Sequence, residues 1–279
     1  MRIPFRKSRP CKVEYHHRPG RSMSRQTLSS LHDDLVQVAG DCFTQVPAYQ
    51  CLTGKREEFT RTVITVARNR QGEALGFCSA VILEVDGYKN ILHLGLTCVK
   101  KKARGLRLTH KLTSRLLLSY LVRTSKFKRI WFTNVACVLS SLGNVALYFE
   151  QVYPSPLGLT EPGKDHVTIA RALDEKFRNP VAINNDAVLD MEHFVFRGSV
   201  SQTVFQKSAR DSRYFHRDPG LTDFYLNRLD FKNGDEVIQV GRVGLLSFPK
   251  YLVKNTAMMM LKATQSPIER LKTAKFLGK

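Results

Sequence analysis

From residue 91 to residue 121 the sequence reads ILHLGLTCVKKKARGLRLTHKLTSRLLLSYL, and the groups able to do chemistry crowd its middle. Lys100, Lys101, Lys102, Arg104, Arg107, Lys111 and Arg115 follow one another with no acid among them. Upstream, residues 91–99 are short, apolar and preceded by Asp86-Gly87, the pattern of a buried strand after a tight turn. Downstream, Leu108, Leu112, Leu116 and Tyr120 recur at the spacing of an amphipathic helix, with Leu117 and Leu121 beside them. A strand entering a helix through a basic turn aims unpaired N–H groups and the positive end of the helix dipole at one point. That arrangement binds phosphate. The expected cradle is the amides of residues 102–107, with Lys101, Lys102, Arg104 and Arg107 supplying charge.

Groups that could move protons lie on the same strand and its neighbour. By two-residue alternation His93, Gly95 and Thr97 share one face, and His93 is the one that titrates near neutrality. Glu84, on the neighbouring strand, is the carboxylate alternative. Cys98 has no His-Asp constellation to activate it and is expected to be a core thiol. The six cysteines are scattered without a C-x-x-C pair, which speaks against zinc or a disulfide framework and for reduced thiols in the cytoplasm. His16 and His17 are adjacent on an expected strand, point to opposite faces, and make a poor metal clamp; no metal is expected.

The elements that must position these groups follow from pattern. Residues 12–17 form an opening strand, stopped by Pro19-Gly20. Ser29 or Ser30 caps a helix over 31–43, with Leu31, Leu35 and Val38 on one face. Residues 59–68 alternate and are β-branched, and strands over 74–85 and 91–99 follow short turns, giving an antiparallel meander. A helix over 104–123 leads to a strand over 130–135, which should lie parallel to 91–99. Ser140 or Ser141 caps a helix over 142–151. The expected fold class is α/β: a mixed, mainly antiparallel central sheet with helices on both faces. Beyond residue 180 the pattern weakens into an α+β C-terminal extension. It holds strand character over 194–205, a polar loop over 208–218, a short helix over 221–229, a strand over 236–246 and a basic helix over 251–279. The expected division is a domain of residues 1–180 and an extension of residues 181–279.

At 279 residues and 43% hydrophobic, the chain can bury a core. No apolar run reaches the roughly 18–20 residues of a membrane span. The N-terminus lacks the apolar segment of a secretory signal. The net charge of +20 suits nucleic acid, an anionic membrane surface, or an acidic protein or polyphosphate cofactor.

The order of elements, with this turn after the third meander strand, resembles the GNAT family of acyl-CoA-dependent N-acyltransferases over about residues 10–156. In that family a strand ending in Val leads into R/Q-x-x-G-x-G/A at a helix start. Here Val99 leads, five residues on, into Arg104-Gly105-Leu106-Arg107-Leu108-Thr109. The Arg is kept, and Arg107 and Thr109 stand at the two small positions. The resemblance implies a donor site built from Cys98, Val99, Lys102, Ala103, Arg104, Gly105, Leu106 and Arg107, with the N–H of Cys98 or Val99 polarising a thioester carbonyl. It further implies that Tyr148, in the NVALYFEQVY stretch, is the acid that reprotonates the leaving thiolate.

The implied activity is enzymatic: transfer of an acyl group from a pantetheine thioester to an amine. The donor would be acetyl-CoA or another acyl-CoA. Acyl carrier protein is a third donor, whose acidity a basic face would complement. The alternative is a nucleic-acid-binding protein that keeps the fold without catalysis, using Tyr214, Phe215 and His216 among basic residues for stacking. A weaker one docks the tail from Tyr251 on a membrane or lipid.

Overall fold

The structure is a computed structural model that describes residues 11–125, 128–244 and 247. The basic helix expected over 251–279 lies outside the described residues. The first half of the chain runs β1 (Lys12–His17), α1 (Pro19–Ser22), α2 (Arg25–Cys42), α3 (Arg56–Arg61), β2 (Thr62–Arg68), β3 (Ala74–Leu83), β4 (Ile91–Val99) and α4 (Leu108–Tyr120). Then come β5 (Ile130–Ala136), α5 (Leu139–Tyr148), β6 (Glu150–Tyr153), α6 (Lys164–Lys176) and α7 (Arg178–Val181). The described extension adds β7 (Val188–Asp190), β8 (Val195–Arg197), α8 (Pro219–Leu226) and β9 (Glu236–Val243).

Nine strands join one sheet in the order β1-β2-β3-β4-β5-β9-β8-β7, with β6 also paired to β9. Every pairing is antiparallel except β4 with β5. This is the expected mixed, mainly antiparallel α/β sheet. Residues beyond 180 do not form a sheet of their own, because β9 pairs along the full length of β5.

Both faces are covered, which is why β3 is buried throughout and apolar but for Ser79. On one face α4 places Leu108, Leu112, Leu116, Leu117 and Tyr120 against Ala80, Ile82 and Leu92, and Val145 of α5 joins them. On the other, Leu28, Leu31, Leu35 and Val38 of α2 cover Ile64, Val66 and Phe77, and Ile169, Ala170 and Leu173 of α6 cover Val81 and Ile238. Each such side chain contributes about 1.5–3 kcal/mol by leaving water.

Several boundaries differ from the sequence reading. The first long helix starts a turn and a half earlier, at Arg25, because Ser24 caps it: its Oγ accepts from the Thr27 N–H at 3.2 Å. Residues 56–61 form α3 rather than strand. The expected helix over 142–151 starts at Leu139 and gives way to β6, because Glu150 and Tyr153 find partners on β9, a strand supplied by the extension. The strand expected over 194–205 is only β8.

Candidate active site

β4 and β5 pair over three residues only, Leu92–Leu94 with Phe132–Asn134. Past Leu94 the strands diverge, so β4 from Gly95 to Val99 has no β5 partner. A parallel pair that opens this way leaves a fork whose β4 amides on the β5 side lie outside the ladder. The opening coincides with a bulge: Ala80 faces Leu94 but Cys78 faces Thr97, so three steps of β4 oppose two of β3.

The bulge overturns one expectation. His93, Gly95 and Thr97 do not share a face. Thr97 turns toward α4, where its hydroxyl meets the Cys78 sulfur at 3.2 Å and that sulfur lies 3.8 Å from the Thr113 hydroxyl. His93 stays on the α2 and α6 face. Gly95 is the one place at the fork where only glycine fits, since a Cβ there would come within 2.8 Å of Ser79 Oγ and collide with the Gln50 carboxamide.

The turn after β4 is more structured than a bare cradle. A 3-10 turn spans Lys101–Ala103, Gly105 takes a φ of +84°, and Arg107 caps α4 in the left-handed region. The N–H groups of Ala103, Arg104 and Leu106 bond to the carbonyls of Lys100, Lys101 and Ala103, and the Lys101 N–H bonds to the Asp41 carboxylate. These amides are therefore committed within the fold, and Ala103 itself is buried. The unpaired first-turn amides of the helix begin at Leu108, four residues beyond the start expected at residue 104. Glu73 holds Lys100 at 3.0 Å and Lys102 at 2.6 Å, and both lysines pull its carboxyl below the usual range. Lys101, Arg104, Gly105 and Arg107 face solvent, so the outward charge of the turn rests on Lys101 and the two arginines, while Glu73 offsets Lys100 and Lys102. Val99 and Cys98 end β4; Cys98 is buried, and hydrogen bonding with Cys42 and burial hold its thiol up.

Tyr148 is the last residue of α5, buried at 4% exposure, and burial raises its phenol while the charge of Arg217 opposes that. Arg217 also acts on His110 in the first turn of α4. It is exposed and follows His216, whose ring lies on Gly143 of α5, where a Cβ would approach it to 2.7 Å. The extension thus brings a further arginine between the start of α4 and the end of α5. The 208–218 loop is mostly exposed, but Arg213 pairs with Asp211, Tyr214 is half-buried beside Lys207, and His216 is buried.

The two expected bases fare differently. Glu84 lies just past β3, beyond the Leu83–Ile91 pair at the start of β4, at the end of the strand away from the fork. Its side chain is 76% exposed with Arg18 at 3.8 Å, so it is not brought to the site. His93 is brought there but buried, at 1% exposure, with Nδ1 3.0 Å from the Thr133 hydroxyl and Nε2 3.4 Å from the Tyr49 hydroxyl. Burial pushes the imidazole down to about 3, so it stays neutral and accepts a proton poorly.

Around His93 the structure assembles groups that the sequence reading missed. Gln50, in the left-handed region at φ +49°, donates its amide to the Tyr49 hydroxyl at 2.5 Å and to the Pro180 carbonyl at 3.3 Å, and accepts from Ser79 at 3.2 Å. Phe205 from the extension lies edge-on to Tyr49 at 5.5 Å, and its carbonyl accepts from the Cys137 thiol. Glu236 lies within electrostatic reach of Tyr49 and takes a hydrogen bond from Ser199. One signal for it was present: it falls in phase with Ile238 and Val240 on an apolar strand face, where a carboxylate has no packing reason to be.

No protein-family model matches the chain, and no curated protein matches it in sequence. Solved structures are similar at low identity. An aminoglycoside acetyltransferase from an uncultured soil metagenomic sample is 16% identical with a TM-score of 0.32, over 41% of this chain and 74% of that one. Glucosamine-6-phosphate N-acetyltransferase from Arabidopsis thaliana is 15% identical with a TM-score of 0.28, over 40% and 77%. A GNAT-family acetyltransferase from Staphylococcus aureus MU50 is 13% identical with a TM-score of 0.31, over 43% and 72%. Likenesses this distant leave the activity to be read from the site's own geometry. Among the described residues no helix is long and apolar enough to cross a membrane, and no three or more His, Cys, Asp and Glu side chains group as metal ligands.

Proposed function

We propose that this chain is an N-acyltransferase that moves an acyl group from a pantetheine thioester, with acetyl-CoA or another acyl-CoA as donor, to an amine by direct attack. The fork between β4 and β5, opening at Gly95 and ending in the Arg104–Arg107 turn, supports this most. A pantetheine arm is a strand-like chain of amides, and a half-open parallel pair offers it β4 amides that no neighbouring strand uses. The thioester carbonyl would take a hydrogen bond from β4 between Gly95 and Val99, where charge develops as the amine attacks. The phosphates would meet Arg104, Arg107 and the first amides of α4. Tyr148 would return a proton to the thiolate, since a phenol is acidic enough to donate to an alkylthiolate as it leaves. The exposed arginines serve an acidic carrier protein equally well, and donor screening separates the two.

The test is thermal shift with CoA, acetyl-CoA and acyl carrier protein, together with mass spectrometry of acylated amines. Stabilisation by acetyl-CoA in the wild type and its loss in Arg104→Glu is the expected result. Equal stabilisation of both would remove the turn from the donor site.

A further inference from the structure

The geometry points to Glu236, a residue of the extension hydrogen-bonded by Ser199, as the base that takes the proton from the incoming ammonium group. This rests on the acyl-transfer reading and goes beyond it by assigning the acceptor side. Three placements carry it. Val237 pairs with Ala136, the last residue of β5, so Glu236 sits at the end of the sheet where the fork opens. It lies in phase with Ile238 and Val240, and therefore on the same sheet face as His93, opposite to α4. Its carboxylate is buried at 7% exposure, and its hydrogen bond among the described residues is from Ser199 Oγ at 2.7 Å.

A buried carboxylate with one hydroxyl donor is costly as structure alone. Lys207 offsets its charge only in part. The Lys207 ammonium is half-buried, within reach of its charge, and donates instead to the Val204 carbonyl at 3.0 Å. Tyr49 and Cys137 also feel the Glu236 charge, and burial raises both so that they remain neutral. Asp235, next along β9, is bound by Arg197 at 2.7 Å and by Asn233, so that pair is satisfied away from it. Asp211 acts on Lys207 but forms its ion pair with Arg213. Burial lifts the Glu236 carboxyl to about 7, the range in which a base both ionises and accepts a proton from an ammonium group. His93 cannot supply this, and Glu84 is too far along the sheet.

The step balances as follows. The carboxylate takes one proton from the ammonium group, leaving a neutral amine. The nitrogen lone pair forms the C–N bond and the carbonyl π electrons move to oxygen. Collapse breaks the C–S bond, Tyr148 protonates the thiolate, and the second nitrogen proton restores Tyr148. Glu236 then releases its proton to water, giving amide, thiol and one proton in all.

The experiment measures kcat/KM against pH for wild type, Glu236→Gln and Glu236→Asp, with acetyl-CoA as donor and spermidine, glucosamine and an alanyl peptide as amines. The wild-type rate should rise with pH through about 7. Glu236→Gln should lose at least about a hundredfold in kcat with donor KM unchanged, and lose that limb; Glu236→Asp should keep the limb. A Gln variant with wild-type turnover and limb overturns the assignment. Unfolding free energy against pH gives a readout that needs no amine. Because the folded carboxyl holds its proton more tightly than the unfolded one, wild-type stability should fall as pH rises from about 4.5 to about 7 and level off above that, and the Gln variant should not show this fall. A flat wild-type curve would also overturn the proposal. If acetyl-CoA stabilises the wild type but none of these amines is acylated, the base role falls while the donor site stands. If acetyl-CoA does not bind, the acyl-transfer reading falls and takes the base role with it.

Discussion

The two sides of the β4–β5 fork are built by opposite means. Apart from the buried Tyr148, the proposed donor side is one contiguous stretch, Val99 to Leu108, whose working charges, Arg104 and Arg107, stand in solvent. The acceptor side draws Tyr49, Ser79, His93, Thr133, Ser199 and Glu236 from distant segments and buries them. Exposed charges act through a screened field and tolerate small displacements. Buried polar groups must be satisfied bond by bond, and each unmet one costs about 1–3 kcal/mol. Changes on the donor side should therefore appear in donor affinity and chemistry with little loss of stability. Those on the acceptor side should appear in stability as well as turnover.

Gly95→Val should give the largest effect, because the two sides meet there. The new side chain would enter the space of the Gln50 carboxamide and Ser79. Overpacking of that kind costs about 3 kcal/mol or more, and here it would also break the Gln50 hydrogen bonds that hold Tyr49 and Pro180. Urea unfolding should show a lowered midpoint, and acetyl-CoA should no longer stabilise the variant. A midpoint equal to wild type would mean that the fork is not packed as described.

That contrast also explains what the sequence could disclose. β4 and the parallel placement of β5 were legible because each is carried by a local pattern, an apolar run bounded by turn residues or a crossover through a helix. The basic turn was legible for the same reason. The committed amides of Ala103, Arg104 and Leu106 were not, because a 3-10 turn and a helix start draw on the same residues. The bulge after Leu94 was hidden too: there Gly95 meets the Gln50 side chain, which lies more than forty residues away in the chain. His93 was placed correctly on the strand over 91–99, but it is packed against Tyr49 and Thr133, contacts that no window around residue 93 contains.

Tyr148→Phe tests the donor side at its deepest point. The ring fills the same space, so packing on α5 is kept and only the hydroxyl is lost. Turnover should fall about a hundredfold, at the lower end of general-acid contributions, with donor KM and the unfolding midpoint unchanged. Steady-state kinetics with acetyl-CoA and varied amine reads both. Wild-type turnover would take the acid role away from Tyr148 and leave it as packing.

Tyr49→Phe should give the smallest effect and the sharpest contrast with Tyr148→Phe, since the same atom is removed from the other side of the fork. The Tyr49 hydroxyl receives the Gln50 amide at 2.5 Å and lies 3.4 Å from His93 Nε2. Without it, Gln50 keeps the longer bond to Pro180 and the acceptance from Ser79, while His93 keeps Thr133. The loss is two buried neutral hydrogen bonds, one of them long, about 1–2 kcal/mol of stability. It should appear as a lower urea midpoint with an unchanged slope and an unchanged acetyl-CoA affinity. If the acceptor side is a bonded unit, Tyr49→Phe combined with Gln50→Ala should cost less than the sum of the two single changes. Additive losses would show that these side chains are buried separately and that the acceptor side, like the donor side, is a set of independent groups.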